Sequence, residues 1–273
     1  MSEITSFQNP RFKRVRKLHE SRHRRKLGLF LIEGVRPLRL ALENRFRIQE
    51  VFVCQGHPLC PAARELLLEL DRRGVPLAEV RRGVFRQMLI GQRNEGLVAV
   101  VHTPKRTLES MPLGERPLVV VLQGVEKPGN VGAVFRSADA AGASAVVLAD
   151  PRTDLFNPHA IHASLGAVLT MPCAVATSQE VKHYLQQHHL ACYAARVDAP
   201  REYTQVDWTA PAAVVLGSEA QGLSPLWLGE DVPGVRLPMQ GQVDSLNVSV
   251  TAAVILYEAL RQRQALGGNE GAD

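Results

Sequence analysis

The sequence predicts an α/β protein with a small basic N-terminal unit and a larger C-terminal unit built on a parallel sheet. Three observations carry this expectation. Apolar segments without polar alternation recur through the second half and are separated by stretches of helical spacing, the pattern of strands covered on both faces. A stretch rich in breakers, TPKRTLESMPLGERP (103–117), divides the chain. The charge divides there too: residues 1–106 hold 22 Lys and Arg against 10 Asp and Glu, a net of +12, whereas residues 107–273 carry a net of −7. The expected boundaries are a basic unit at 1–105, a linker at 106–116 and the larger unit at 117–273.

In the first unit, residues 9–27 have weak helical spacing and LFLIEG (29–34) is a short apolar segment. Helical spacing resumes over 35–44 and again over 62–74. IQEVFVC (48–54), VPLAEV (75–80) and GLVAVVH (96–102) read as strands. In the second unit the expected strands are 118–124, 144–150, 171–176, 190–196 and 212–218. The expected helices are 130–142, 157–169, 178–189 with Ser178 as N-cap, and the apolar closing helix 245–264.

Composition excludes several classes. No run approaches the ~20 apolar residues of a membrane span, and the N-terminus has no apolar signal region. The four cysteines, Cys54, Cys60, Cys173 and Cys192, fit no zinc or redox spacing and read as reduced thiols of a cytoplasmic protein. Arg11 to Lys26 holds nine basic residues and one acid, Glu20. With the opposite sign of the remainder, this density points to nucleic-acid phosphates, with Arg22, Arg24, Arg25 and Lys26 as candidate contacts.

Three glycine-bearing turns follow strands of the second unit: QGVEKPGNVG (123–132), LGSEAQGLSP (216–225) and LPMQGQVDSLN (237–247). In open α/β sheets, ligands sit at the carboxyl ends of strands, so three such turns make one crevice. The first, with Gly124, Gly129 and Gly132, matches neither the dinucleotide fingerprint nor a P-loop. Their polar residues are Asn130, Arg136, Glu219, Ser245 and Asn247. Each has a mundane role on its own, as a helix cap, a turn or a surface charge. Arg136, set among Ala, Val and Phe, reads as a partly buried guanidinium that needs partners.

The three segments together resemble the SpoU-type (TrmH-like) RNA methyltransferases of the SPOUT superfamily. NVGAVFRSADAAGA (130–143), LGSEAQGLS (216–224) and LPMQGQVDSLNVSVTAAVILYEAL (237–260) are similar to its three ordered motifs. Residues 9–34 are similar to the substrate-binding domain that precedes the catalytic one in rRNA-targeting members. Lys127 stands where many members have aspartate, and Thr251 where alanine is common. The resemblance implies a SPOUT domain with a trefoil knot, a homodimer with its interface beside the site, and S-adenosylmethionine as cofactor. It implies 2′-O-methylation of RNA, ribosomal RNA ahead of tRNA, with no metal and no membrane partner. Gly217, Ser218, Leu237, Leu246 and Asn247 would hold the cofactor, and Arg136 would act at the ribose hydroxyl, oriented by Glu219 and Asn130. Ser245 and Asn247 would fix cofactor or ribose. A non-catalytic RNA-binding protein with this fold would have lost Arg136 or Asn247, and both are present. A nicotinamide enzyme lacks its glycine fingerprint here, and a metal site at His159 and His162 lacks further ligands.

Overall fold

The computed structural model describes residues 2–91 and 94–267. The chain divides into two compact units, one of residues 1–105 with 156–170, the other of 106–155 with 171–273.

The first unit holds a five-stranded mixed sheet in the order β1-β4-β3-β5-β2. Its strands are β1 (Ser2–Ile4), β2 (Leu29–Glu33), β3 (Ile48–Cys54), β4 (Leu77–Val80) and β5 (Leu97–His102). β1, β4 and β3 run parallel, and β5 lies antiparallel to both β3 and β2. The helices are α1 (Pro10–Lys17), α2 (Ser21–Leu27), α3 (Val35–Glu43), α4 (Pro61–Arg72) and the short α5 (Arg82–Arg86). The single helical stretch expected over 9–27 is two helices, because Leu18 closes α1 and Glu20 precedes α2 in an extended conformation. β1 and α5 are too short for a periodicity argument, and the sequence did not reveal them.

Residues 157–169 were expected as one helix of the second unit. They form α7 (Pro158–Ala163) and α8 (Ala167–Thr170), and they belong to the first unit. The break falls at Leu165 and Gly166, with φ of 52° and 92°. Gly166 is required there: a Cβ would stand 2.6 Å from the Leu40 side chain. Phe156 leads the segment in and stacks on Phe30, ring centroids 4.7 Å apart, with Phe46 edge-on to both.

The second unit is a seven-stranded, wholly parallel sheet in the order β10-β12-β9-β11-β6-β7-β8. The strands are β6 (Leu118–Gln123), β7 (Ala145–Ala149), β8 (Cys173–Ala176), β9 (Ala191–Ala195), β10 (Arg201–Glu202), β11 (Ala212–Leu216) and β12 (Gly234–Arg236). The core of β6, β7 and β11 is almost entirely Val, Leu and Ala, buried on both faces, which is why these strands read as continuous apolar runs. Helices α6 (Pro128–Ala140), α9 (Ser178–Gln187) and α10 (Val248–Gly267) complete the unit. Ser178 is not the N-cap of α9. Thr177 caps it, its hydroxyl accepting from Glu180 N while the Glu180 carboxylate accepts from Thr177 N, a reciprocal capping box. The stretch 106–116 has no helix or strand, yet Leu108 and Met111 are buried in the core of the second unit.

All four cysteines are free thiols. Burial pushes the Cys173 thiol up to about 11 and the Cys192 thiol to about 12, so both stay protonated. Among the described residues no helix is long and apolar enough to cross a membrane.

Candidate active site

The sheet order fixes where a site can form. From β6 the chain builds outward through β7 to β8, then crosses to the other side to place β9 and β11. β11 pairs with β6 so that Leu216 lies beside Leu122. The loops after these two strands therefore leave the sheet side by side at a topological switch point, where crevices open in parallel sheets. The loops after β9 and β12 leave at the same end.

The turn after β11 is tightly wound. Gly222 N donates to Ser218 O at 2.9 Å, and Gln221 N donates to Ser218 Oγ at 3.2 Å. Gly222 has φ of 65°. Gly217 has no room for a side chain: a Cβ would overlap the Gly222 carbonyl and lie 2.6 Å from Leu223 N. Only glycine lets the turn fold back on its own backbone.

Glu219 projects from this turn and accepts a hydrogen bond from Asn130 Nδ2. Asn130 Oδ1 in turn accepts from Asn247 Nδ2 at 3.3 Å. One carboxamide thus joins all three glycine-marked segments. Asn130 is free to do so because it does not cap α6; the helix begins at Pro128, with Lys127 in the cap position. Asn247 does cap α10: its Oδ1 accepts from Ser249 N at 2.9 Å and Ser249 Oγ at 2.7 Å, leaving Nδ2 for Asn130. Its capping and site roles are served by opposite ends of one amide.

Beside this triad lies a cavity of about 600 Å³, within the size range of small-molecule sites. Gly217, Ser218, Leu237, Ser245, Leu246 and Asn247 all line it, as does Glu219. The sequence reading missed Arg196, Asp198, Asp244 and Thr251, which also line it. Arg196 and Asp198 pair at 3.1 Å just beyond β9. The rule that strand ends carry ligands pointed to them, but β9 ends in no glycine turn.

Arg136 is not in this cavity. It stands exposed on α6, with no hydrogen bond or ion pair to the described residues. The expected partly buried guanidinium, paired by Glu219 and Asn130, is absent because those two residues bind each other. Arg136 follows Asn130 by six residues, hence about 9 Å along the helix and two-thirds of a turn around it.

Of the basic candidates in the first unit, Arg22, Arg25 and Lys26 are exposed on α2. Arg24 is not: it is 4% exposed, and its Nη1 donates to Leu18 O and His19 O, both at 2.8 Å. It caps the end of α1 from inside, so it is a structural residue rather than a phosphate contact.

Comparison with known proteins gives the family. Residues 117–257 match the SpoU rRNA methylase family. The chain belongs to that family. Residues 9–99 match the MRM3-like substrate binding domain. The chain is 33% identical over 270 residues to a 23S rRNA (uridine(2479)-2′-O)-methyltransferase of Streptomyces viridochromogenes, covering 95% of this chain and 92% of that protein. Among solved structures it is similar to an RNA 2′-O ribose methyltransferase, with a TM-score of 0.83, 41% identity and coverage of 96% and 99%. It is also similar to an S-adenosylmethionine-bound rRNA methyltransferase from Sinorhizobium meliloti, with a TM-score of 0.86, 27% identity and coverage of 95% and 97%. This SpoU-family chain is an S-adenosylmethionine-dependent RNA 2′-O-methyltransferase with the SPOUT fold.

The cavity fits the cofactor. Leu216, Leu237, Leu246 and Val248 offer an apolar slot, and Gly217 brings backbone within reach of a ligand. Glu219 and Asp244 supply negative charge on the walls beyond the Arg196–Asp198 pair, which suits a cationic sulfonium and ammonium.

Proposed function

We propose that this chain methylates a ribose 2′-hydroxyl in 23S ribosomal RNA in the cytoplasm, acting as a homodimer. The observation that carries the reading is the Asn130 bridge, which joins Glu219 to Asn247 at the lip of the cofactor cavity. S-adenosylmethionine, when bound, supplies an electrophilic methyl group. The protein must position the acceptor oxygen and manage its proton, and positioning alone is worth up to about 7–11 kcal/mol.

The residues divide this task. Gly217, Ser218, Leu237 and Leu246 hold the cofactor, and Ser245 with Asn247 fixes the ligand at the mouth of the cavity. Asn130 holds Glu219 in place, leaving the second carboxylate oxygen to accept from a ligand hydroxyl. Arg136 acts at the ribose. A guanidinium does not give up its proton in a protein, so its simplest contribution is to lower the hydroxyl pKa and grip a neighbouring phosphate. Exposed on α6 and without a partner among the described residues, it is suited to a ligand that arrives from solution.

Two features support the dimer. Val250 and Tyr257 are 46% and 51% exposed, and seven residues bring them to one face of α10. α6, which carries Arg136, packs against the same helix. An apolar face beside a catalytic helix suits a second copy of the chain, in keeping with the family resemblance.

The test is transfer of a labelled methyl group from S-adenosylmethionine to 23S rRNA from cells lacking the gene. Wild-type protein labels a ribose. Arg136→Ala abolishes labelling while cofactor binding persists. Full activity in that variant contradicts the assignment.

A further inference from the structure

A second cavity, of about 340 Å³, lies across the 217–222 turn from the cofactor cavity. Ser218, Gly222 and Leu223 line both, so the turn is their common wall. Gln123, Asp150 and Arg152 line it from the ends of β6 and β7, and Gln221 from the turn after β11. The family motifs do not include Arg152 or Asp150.

The hydrogen-bonding groups here are unevenly committed. Gln221 Oε1 accepts from Arg152 Nη2 at 2.8 Å, and Gln123 Oε1 accepts from Ser224 N at 3.1 Å. Both carboxamides have spent their oxygens on the protein, so each has an NH₂ to offer a ligand. Asp150 presents the opposite character. Its Oδ2 accepts from Ser178 N at 3.1 Å, and Oδ1 remains as an acceptor. Asp150 holds φ of 46°, a left-handed conformation that Asp adopts more readily than most residues. It is fixed there by its N–H, which donates to Ala176 O at 3.0 Å. Arg152 also pairs with Glu126, so it ties the loop before α6 to the turn after β11.

The walls therefore offer amide donors together with one carboxylate acceptor. That pattern complements a carbonyl next to a ring N–H. Guanine (O6 and N1–H) and uracil (O4 and N3–H) share that edge. Adenine and cytosine put an amine where the carbonyl would be, and a bare ring nitrogen where the N–H would be. Sequence-specific proteins read such edges on unstacked RNA bases. Given the reading that the chain methylates an RNA ribose, we propose that this cavity receives the base of the acceptor nucleotide. Gln123, Gln221 and Asp150 select guanine or uracil by its carbonyl–imino edge. Arg152 is a positioning residue that holds Gln221 with its amide nitrogen toward the base.

The experiment uses the full chain and an RNA hairpin containing the acceptor nucleotide mapped in 23S rRNA, made with each of the four bases at that position. For each, kcat and KM for 2′-O-methylation are measured, with Kd for S-adenosylmethionine. Wild type is expected to favour the guanine or uracil hairpin over adenine and cytosine by about 10-fold or more, the range of a good paired base contact. Gln221→Glu and Gln123→Glu keep volume and the internal acceptor but lose the N–H donors. Each should cut that preference by roughly 10-fold, mainly through KM, with cofactor Kd unchanged. Asp150→Asn, which tolerates the same backbone conformation, should shift preference toward adenine or cytosine by supplying the N–H their ring nitrogen needs. Wild-type indifference to the base, a preference for an amine-bearing base, or unchanged ratios in all three variants would each overturn the base pocket alone. Absence of 2′-O-methyl product from every hairpin and from 23S rRNA would overturn the methyltransferase reading itself.

Discussion

At the scale of single residues, the site depends on groups that have one geometry available. Gly217→Ala puts a methyl group onto the Gly222 carbonyl, and the turn must open to admit it. Calorimetric titration with S-adenosylmethionine should show affinity weakened by at least about 10-fold, that is roughly 1.4 kcal/mol; an unchanged Kd would mean the turn does not shape the cavity. Arg24 and its neighbours part company for a similar reason. Arg24→Ala removes charged hydrogen bonds to Leu18 O and His19 O, costing about 1.5–3 kcal/mol each by the usual range, and should lower the thermal midpoint. Replacing Arg22, Arg25 and Lys26 together should leave the midpoint alone and reduce the slope of log K against log salt concentration for RNA binding by roughly 0.7–0.9 per lost phosphate contact. A salt slope identical to wild type would move the RNA to another face. The sequence could not separate Arg24 from its neighbours, because a charge run does not show which member turns inward. The same holds for Asn130: its position near a helix start suggested a cap, whereas its side chain reaches across to another strand end.

At the scale of elements, the parallel sheet was legible because burial on both faces leaves Val, Leu and Ala in uninterrupted runs. The glycine turns were legible because each marks a strand end. What stayed hidden were elements stabilised by pairing rather than by their own composition, such as the two-residue β10. Ala and His carry helical spacing across 157–169, yet the helix breaks where Gly166 packs against Leu40. Residues 245 and 246 were read into α10, but they belong to the loop that Asn247 closes. Asn247→Ala removes both that cap and the Asn130 bond. It should lower the thermal midpoint by the loss of about 0.5–2 kcal/mol and also abolish methyl transfer. Asn247→Asp keeps the cap but lacks the amide donor, so a stable yet inactive Asp variant is the expected result, and a fully active one contradicts the role given to the bridge.

At the scale of the whole molecule, the polypeptide does not divide at one point. The first unit includes residues 156–170, drawn from between β7 and β8. A truncated chain of residues 106–273, which keeps Leu108 and Met111 in the second-unit core, would carry Phe156, Ile161, Val168 and Leu169 without the first-unit core they pack into. Such a chain should aggregate, and light scattering should show it; Phe156→Ser with Ile161→Ser should restore solubility if the exposed segment is the cause. No sequence signal announced this arrangement, since a segment between two strands of one sheet is ordinarily part of that sheet's own unit. The charge division, by contrast, was visible at once and coincides with the change of units near residue 105. In the proposed function the chain places a methyl group on a ribose of 23S rRNA. Mapping 2′-O-methyl positions in 23S rRNA from cells with the gene, without it, and complemented by Arg136→Ala tests this most directly. One ribose methyl is expected to disappear with the gene and to stay absent with the variant; an unchanged methylation map would contradict the proposed function.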